Sequence, residues 1–312
     1  MENNYIVVIG SYLVALVMNT KRLPVLGETL MAKNFRQVHG GKGSNQAVQA
    51  ARLGASTFFV GRVGQDNYGD GFICLCKNEQ VNADFVFQSS NLPTGVGFII
   101  CDDEGNNIIT IDTAAINEFG ERDIDAALGI ITANSTVLLQ LEIPLHTALY
   151  AAKKAKAKGA TVILNPAPAQ NLSGYDLSMI DYLTPNETEA RICLGLSKHG
   201  GLTDEEAAQK LLQLGCVNIV VTLGEKGVFL CNSTTAMAIP GFQMQEVVDT
   251  TGAGDGFNAG LAVALSEGKD IITALAFANA VGGLSVTKPD TISSYHFRED
   301  VDAFLASQVQ VL

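Results

Sequence analysis

From Thr136 onward, short runs of Val, Ile and Leu alternate with stretches whose apolar residues return every three or four positions. Thr136 to Leu141 precedes a helical pattern near Leu145 to Ala157, and further short runs follow at Thr161 to Leu164, Asp181 to Thr184 and Asn218 to Leu223. Such an alternation predicts a parallel sheet covered by helices on both faces, an α/β fold. Two segments break the rhythm. Tyr12 to Arg36 is one; the other is Asn91 to Asp112, where Gly97 to Cys101 and Asn107 to Ile111 flank the turn Asp102-Asp103-Glu104-Gly105. They predict a β-hairpin and companion strands outside the parallel layer. No repeat or low-complexity linker divides the chain, so residues 1–312 read as one domain with strands from about 12–36 and 91–112 inserted in it. In parallel sheets of this kind ligands sit beyond the carboxyl ends of the strands, where Glu142, Asn165, Asn186 and Thr222 all fall.

Composition narrows this picture. A chain of 312 residues that is 47% hydrophobic can bury a large core, and no stretch approaches the roughly 20 apolar residues of a membrane helix. The predicted strand Tyr5 to Ile9 starts almost at once, which leaves no room for a cleavable leader and points to a cytoplasmic address. Cys74, Cys76, Cys101, Cys193, Cys216 and Cys231 lack the paired spacing of a zinc site and read as reduced, mostly core residues, with Cys74 and Cys76 packing on a helix. The histidines His39, His146, His199 and His296 form no ligand cluster by spacing, and His39 reads as a hydrogen-bonded loop residue. A formal charge of −12 argues against nucleic acid or an anionic membrane as partner.

Candidate chemistry is densest at Asp249-Thr250-Thr251-Gly252-Ala253-Gly254-Asp255-Gly256-Phe257-Asn258. Val247 and Val248 end an apolar run before it, and Phe257, Leu261, Ala262 and Leu265 follow at helical spacing, so the glycine-rich turn lies at a helix N-terminus. Unpaired N–H groups and the positive end of the helix dipole can hold a phosphate there. Gly252 and Gly254 let the backbone approach an anion, and Asp255 can accept a proton from an attacking hydroxyl. Taken alone, the segment equally describes a strand-turn-helix junction with Asp255 as its cap.

The segment resembles the C-terminal signature of the ribokinase-like, or phosphofructokinase-B type, carbohydrate kinases. Gly40-Gly41-Lys42-Gly43-Ser44-Asn45-Gln46-Ala47 is similar to that family's sugar-binding segment, and Pro185-Asn186-Glu187-Thr188-Glu189 to its Asn-x-x-Glu element. Gln140-Leu141-Glu142, Asn165-Pro166-Ala167-Pro168-Ala169 and Thr222-Leu223-Gly224-Glu225-Lys226-Gly227 follow in the family's order, so the resemblance spans Ile6 to Phe304, nearest the ribokinase branch. It implies a three-layer α/β/α sandwich with a small β-sheet lid over the sugar, often used for dimer contacts, and ATP-dependent phosphorylation of a sugar hydroxyl. By resemblance Asp255 is the general base and Gly252, Ala253 and Gly254 form an anion hole. Gly41, Lys42, Gly43, Asn45 and Glu142 face the sugar; Thr222, Gly224, Lys226 and Gly227 line the nucleotide, with Asn279 near the adenine. Asn186 and Glu189 organise magnesium through water, and the acidic charge is no obstacle to ATP, which arrives with that ion. In an anonymous chain Lys42 would read as a solvated turn lysine and Glu142 as a helix cap.

Departures from the family bear on the substrate. Ribokinases usually carry Asn-x-Asp just after the first strand, where this chain, aligned on Gly10-Ser11, has Leu13 and Ala15. Two polar contacts are gone, which disfavours ribose and favours a sugar with a missing or differently placed hydroxyl. Ile116 likewise stands where the lid segment usually has Asn. Asp290 replaces a glycine in what the family uses as a monovalent-cation loop; Asp249 and Thr251 keep one side of it, with Ser285 and Ser294 as neighbours, so potassium is a candidate ligand. A nucleoside kinase, whose base could contact Leu13 and Ile116, and a non-catalytic sugar or nucleotide sensor are the alternative functions. Neither a Gly-x-Gly-x-x-Gly after a first strand nor a Gly-x4-Gly-Lys-Ser/Thr loop is present.

Overall fold

The computed structural model describes residues 4–198 and 200–309, the side chain of the last excepted; His199 lies outside the described residues. The chain opens with β1 (Tyr5–Ile9) and leaves the central layer at once for β2 (Leu13–Asn19) and β3 (Lys33–Gly40). It returns through β4 (Ser56–Gly64) and β5 (Val81–Ser89), then leaves again for the hairpin of β6 (Val96–Cys101) and β7 (Asn107–Asp112). The remaining strands are β8 (Thr136–Gln140), β9 (Thr161–Asn165), β10 (Tyr182–Leu183), β11 (Asn218–Thr222), β12 (Val228–Asn232) and β13 (Ala236–Ile239).

Nine of these form one sheet in the order β13-β12-β11-β10-β9-β8-β1-β4-β5, and the other four form the lid, β3-β2-β6-β7. The large sheet is parallel from β5 to β11 and antiparallel only at β11-β12-β13. Successive side chains of a strand point to opposite faces. Val7, Ile9, Val137 and Leu139 accordingly enter one core cluster, while Ile6, Val8 and Leu138 enter the other. Helix Leu145–Ala157 lays Ala148, Ala151, Ala152 and Ala155 on the first; helices Ala253–Ser266 and Ile271–Ser285 cover the second. Both faces are dry, which is why the strands read as unbroken apolar runs.

Several expectations shift in detail. The strand expected over Asp181 to Thr184 is only Tyr182–Leu183, and the Asp181 carboxylate before it accepts from the Val162 amide. His39 is a residue of β3, not of a loop, and its Nδ1 meets the Tyr12 hydroxyl at 2.8 Å. Of the cysteines, Cys74 is exposed and Cys101 half-buried, the other four are buried, and all six are free. Among the described residues no helix is long and apolar enough to cross a membrane.

Candidate active site

The site lies where the strand ends of the large sheet meet the lid. Gly41 ends the β3 connection with φ 96°, and a Cβ there would stand 2.8 Å from the Tyr12 Cα, so only glycine lets the chain turn into the helix Lys42–Arg52 against β2. Glu142 meets this turn just beyond β8. Its Oε2 accepts from the Lys42 amide at 2.7 Å and from the Ser11 hydroxyl. The capping reading of Glu142 is therefore correct, and the cap uses one of the two carboxylate oxygens. Burial pushes the Glu142 carboxyl above its usual range, against the pull of the Lys42 ammonium. Lys42 is not a solvated lysine: the charges of Asp255, then of Glu142 and Glu189, raise it above its ordinary value against the cost of burial.

Asp255 is not a cap. Gly252 holds the N-cap position of helix Ala253–Ser266 in the left-handed conformation, φ 81°, with no side-chain cap, while Asp255 is 5% exposed in the first turn. Both its oxygens are held by consecutive residues of the Lys42 helix: Asn45 Nδ2 donates to Oδ2 and Gln46 Nε2 to Oδ1, each at 2.9 Å. Tyr295, buried, donates its hydroxyl to the Gly252 carbonyl at 3.2 Å. Space above Gly254 is open, and the Ala253 amide makes a long 3.3 Å bond to the Thr250 carbonyl.

The same turn forms one wall of a cavity of about 400 Å³. Thr222, Gly224, Gly227, Gly254 and Asn279 all line it, so the candidate nucleotide residues and the candidate anion hole share one space. Lys226 is not on the wall; its carbonyl accepts from the Gly241 amide. Asn279 donates to the Pro240 carbonyl at 3.1 Å. Beside it, Asn186 bridges to Thr222 at the end of β11, and Asn186 and Glu189 cap each other reciprocally, each backbone N–H bonding the other's side chain at 2.8 Å. Burial raises the Glu189 carboxyl. In the candidate cation loop, the Asp249 carboxylate accepts from the amides of Thr251 and Asp290, while Ser285 and Ser294 donate to Gly282 and Thr291 carbonyls. Asp290 has φ 64°, a conformation that favours the glycine expected there, and pairs with Arg36 of β3 at 3.2 Å.

On the lid side, Leu13 and Ala15 lie on one face of β2, opposite Gly40 and Val38 of β3. Leu13 and Ile116 are buried in the core cluster that contains Phe119. Sequence reasoning assigned no role to Ser11, Gln46, Gln140 or Tyr295, nor to the apolar walls Phe242, Met244 and Val247. Gln46 and Gln140 stood inside recognised motifs, which was the only signal available; the segment 240–248 has neither period nor motif.

Taken together, a phosphate-sized turn at a helix start, a buried carboxylate beside it and a cavity on its far side define a phosphoryl-transfer enzyme of the α/β class. Residues 3–298 match the pfkB family of carbohydrate kinases, and the chain belongs to that family. It is 38% identical to the ribokinase of Bacillus subtilis over 96% of this chain and 99% of that one. It is 35% identical to the deoxyribokinase of Salmonella typhi, over 96% and 98%. Among solved structures, Arabidopsis thaliana ribokinase complexed with ribose and ATP superposes with a TM-score of 0.85 at 34% identity, covering 98% of this chain and 99% of that one.

Proposed function

We propose that the chain transfers the γ-phosphoryl group of ATP to a hydroxyl of a small sugar, a pentose or a close relative. The observation that carries this is the placement of Asp255, buried at the meeting point of the Gly252–Gly254 turn and the Asn45–Gln46 pair. In the reaction the sugar hydroxyl gives its proton to Asp255 as its oxygen bonds the γ-phosphorus, and the bond to ADP breaks. The N–H groups of Gly252, Ala253 and Gly254 take the charge on the transferring phosphoryl, the 3.3 Å bond of Ala253 being exchanged for a shorter one to the anion. Lys42, held positive by three carboxylates, adds to the same field.

Gly41, Gly43, Asn45 and Glu142 surround the sugar in this reading. Asn45 Oδ1 is buried without a partner and suits a donor hydroxyl. Leu13 and Ala15 offer no partner, which supports a sugar lacking one hydroxyl, such as 2-deoxyribose, over ribose. Ile116 is sunk in the core and leaves little surface for a nucleobase, so a free sugar fits better than a nucleoside. The nucleotide lies in the 400 Å³ cavity against Thr222, Gly224 and Gly227, with Lys226 contributing backbone geometry and Asn279 beside the base.

Asn186 and Glu189 fit a magnesium held through water, since their mutual caps occupy one carboxylate oxygen and leave the other. Bound there, the ion would neutralise charge on the phosphates. Asp249 and Thr251, with Ser285 and Ser294 near, are the residues toward which potassium would bind; the two amides on Asp249 already hold that loop. Unpaired cysteines and the need for ATP support a cytoplasmic setting. One domain with an inserted lid, pairing with a second copy through that lid, completes the proposal.

The test is ATP-dependent phosphorylation across ribose, 2-deoxyribose, other pentoses, hexoses, ketoses and nucleosides, with Asp255→Asn alongside. One sugar should turn over well, 2-deoxyribose ahead of ribose, and the variant should lose about 10²- to 10⁴-fold in kcat. Sugar binding without turnover anywhere in the panel would mean a sensor instead.

A further inference from the structure

We propose that Gln46 and Gln140 are positioning residues that hold the Asp255 carboxylate in the orientation for accepting the substrate proton. Both glutamines are fully buried. An ionised carboxylate only accepts hydrogen bonds, so Asp255 dictates that Gln46 turn its NH2 toward Oδ1, at 2.9 Å. The Gln46 carbonyl oxygen then points the other way and accepts from Gln140 Nε2 at 2.6 Å. That leaves Gln140 Oε1 buried with no donor. A chain of amides that ends on an unpaired acceptor is unfavourable in itself, and its polarity is set mainly by the charge at its other end, where the contact is far shorter than the one to the neighbouring Asn165 oxygen.

Three elements had to be arranged for it. Gln140 is the last residue of β8, Gln46 lies in the first turns of the Lys42 helix, and Gly10 follows β1. A Cβ at Gly10 would stand 2.0 Å from Gln140 Oε1, so glycine there admits the amide. Gln46 Nε2 has one further acceptor, Asn165 Oδ1, at a weak 3.4 Å. Asn45 holds the second oxygen of Asp255, so removing Gln46 leaves the carboxylate attached by one bond about which it can swing. Gln140 acts on Asp255 only through Gln46.

This inference rests on Asp255 being the base, and the experiment separates the two. Gln46→Leu, Gln140→Leu, the double variant and Asp255→Asn are compared by steady-state kinetics with the preferred sugar. Gln46→Leu should lower kcat about tenfold or more, with the sugar and ATP KM within about twofold. Gln140→Leu, which exchanges the unpaired Gln140 oxygen for an unpaired Gln46 oxygen while Gln46 still bonds Asp255, should lower kcat by a smaller factor. The double variant should be no slower than Gln46→Leu alone. A loss confined to KM, multiplied losses in the double variant, or an unchanged kcat in Gln140→Leu would overturn the proposal while leaving the base assignment intact. Full kcat in Asp255→Asn would overturn both.

Discussion

Strand β8 buries all five of its residues, whereas the lid strand β7 exposes all six. The contrast extends to the groups that each sheet carries. On the sheet side, buried polar groups form a network in which the Asn45 and Gln140 side-chain oxygens near Asp255 lack a donor: Asp255 pairs with Asn45 and Gln46, Thr184 with Asn258 at 2.6 Å, and Asn258 with the Gly254 carbonyl at 2.8 Å. Such a network holds one geometry, because any displacement leaves a desolvated group unpaired. The lid side supplies Leu13 and Ala15 and an exposed Arg36–Asp290 pair, worth little in water. On the proposed function, chemistry belongs to the buried sheet side and selectivity to the lid.

The sharpest way to break this division is at Glu142, which stands on the sheet side and is proposed to face the sugar. Replacing it by Gln keeps the oxygen that accepts from Ser11 and the Lys42 amide, and removes a charged acceptor for the substrate. We expect kcat/KM to fall about tenfold to a hundredfold, the worth of one charged hydrogen bond. Stability should move the opposite way. Burial raises the Glu142 carboxyl above its ordinary 4.5, so its contribution to stability is complete below that value and is lost as pH rises through the raised one. Gln does not titrate. Above that window the variant should therefore melt higher than the parent, and the difference should close as the pH is lowered toward 4.5. Melting curves at acidic and neutral pH check the sign; a variant less stable at neutral pH would show that Glu142 serves the fold first.

How far these roles could be read in advance also divides by region. The helix Leu145–Ala157 and the strands around it stand where apolar periodicity places them, because burial on both faces leaves an unambiguous pattern. The turn at Gly252 was legible from its motif, but the choice between base and cap for Asp255 was not. That choice depends on Asn45 and Gln46, some 210 residues away in the chain. Glu142 shows a different limit: the cap and the ligand carboxylate were weighed as rivals, yet the cap occupies only one of its two oxygens, so the two readings are not exclusive. The apolar walls Phe242, Met244 and Val247 lie in a segment without regular structure, where no periodicity marks which side chains turn inward.

Selectivity should yield to a change on the lid alone. Leu13→Asn with Ala15→Asp restores two polar groups on one face of β2, and preference should swing toward ribose over 2-deoxyribose by about tenfold to a hundredfold in kcat/KM. Leu13 is buried among core residues, so the double variant should also melt lower. Its kcat on the sugar it then prefers should change little, because Asp255 and its partners are untouched. A parallel fall in kcat on every sugar would show that the lid positions the base as well.

The smallest effect on rate, and a clear one on mass, is expected at the outer lid. Ile109 and Ile111 lie 52% and 51% exposed on one face of β7, while Phe98 of β6 is 48% exposed on the other. A sheet that shows apolar side chains on both faces is short of a cover, and a second copy of the same lid would supply one of matching chemistry. Phe98→Lys with Ile109→Lys charges both faces at once. By light scattering the parent should be a dimer and the variant a monomer, with the melting temperature of the large sheet nearly unchanged, since neither residue belongs to its core. If the lid only gates the sugar, sugar KM should rise by a small factor in the monomer while kcat holds; a monomeric parent would instead leave the apolar lid faces to the substrate side alone.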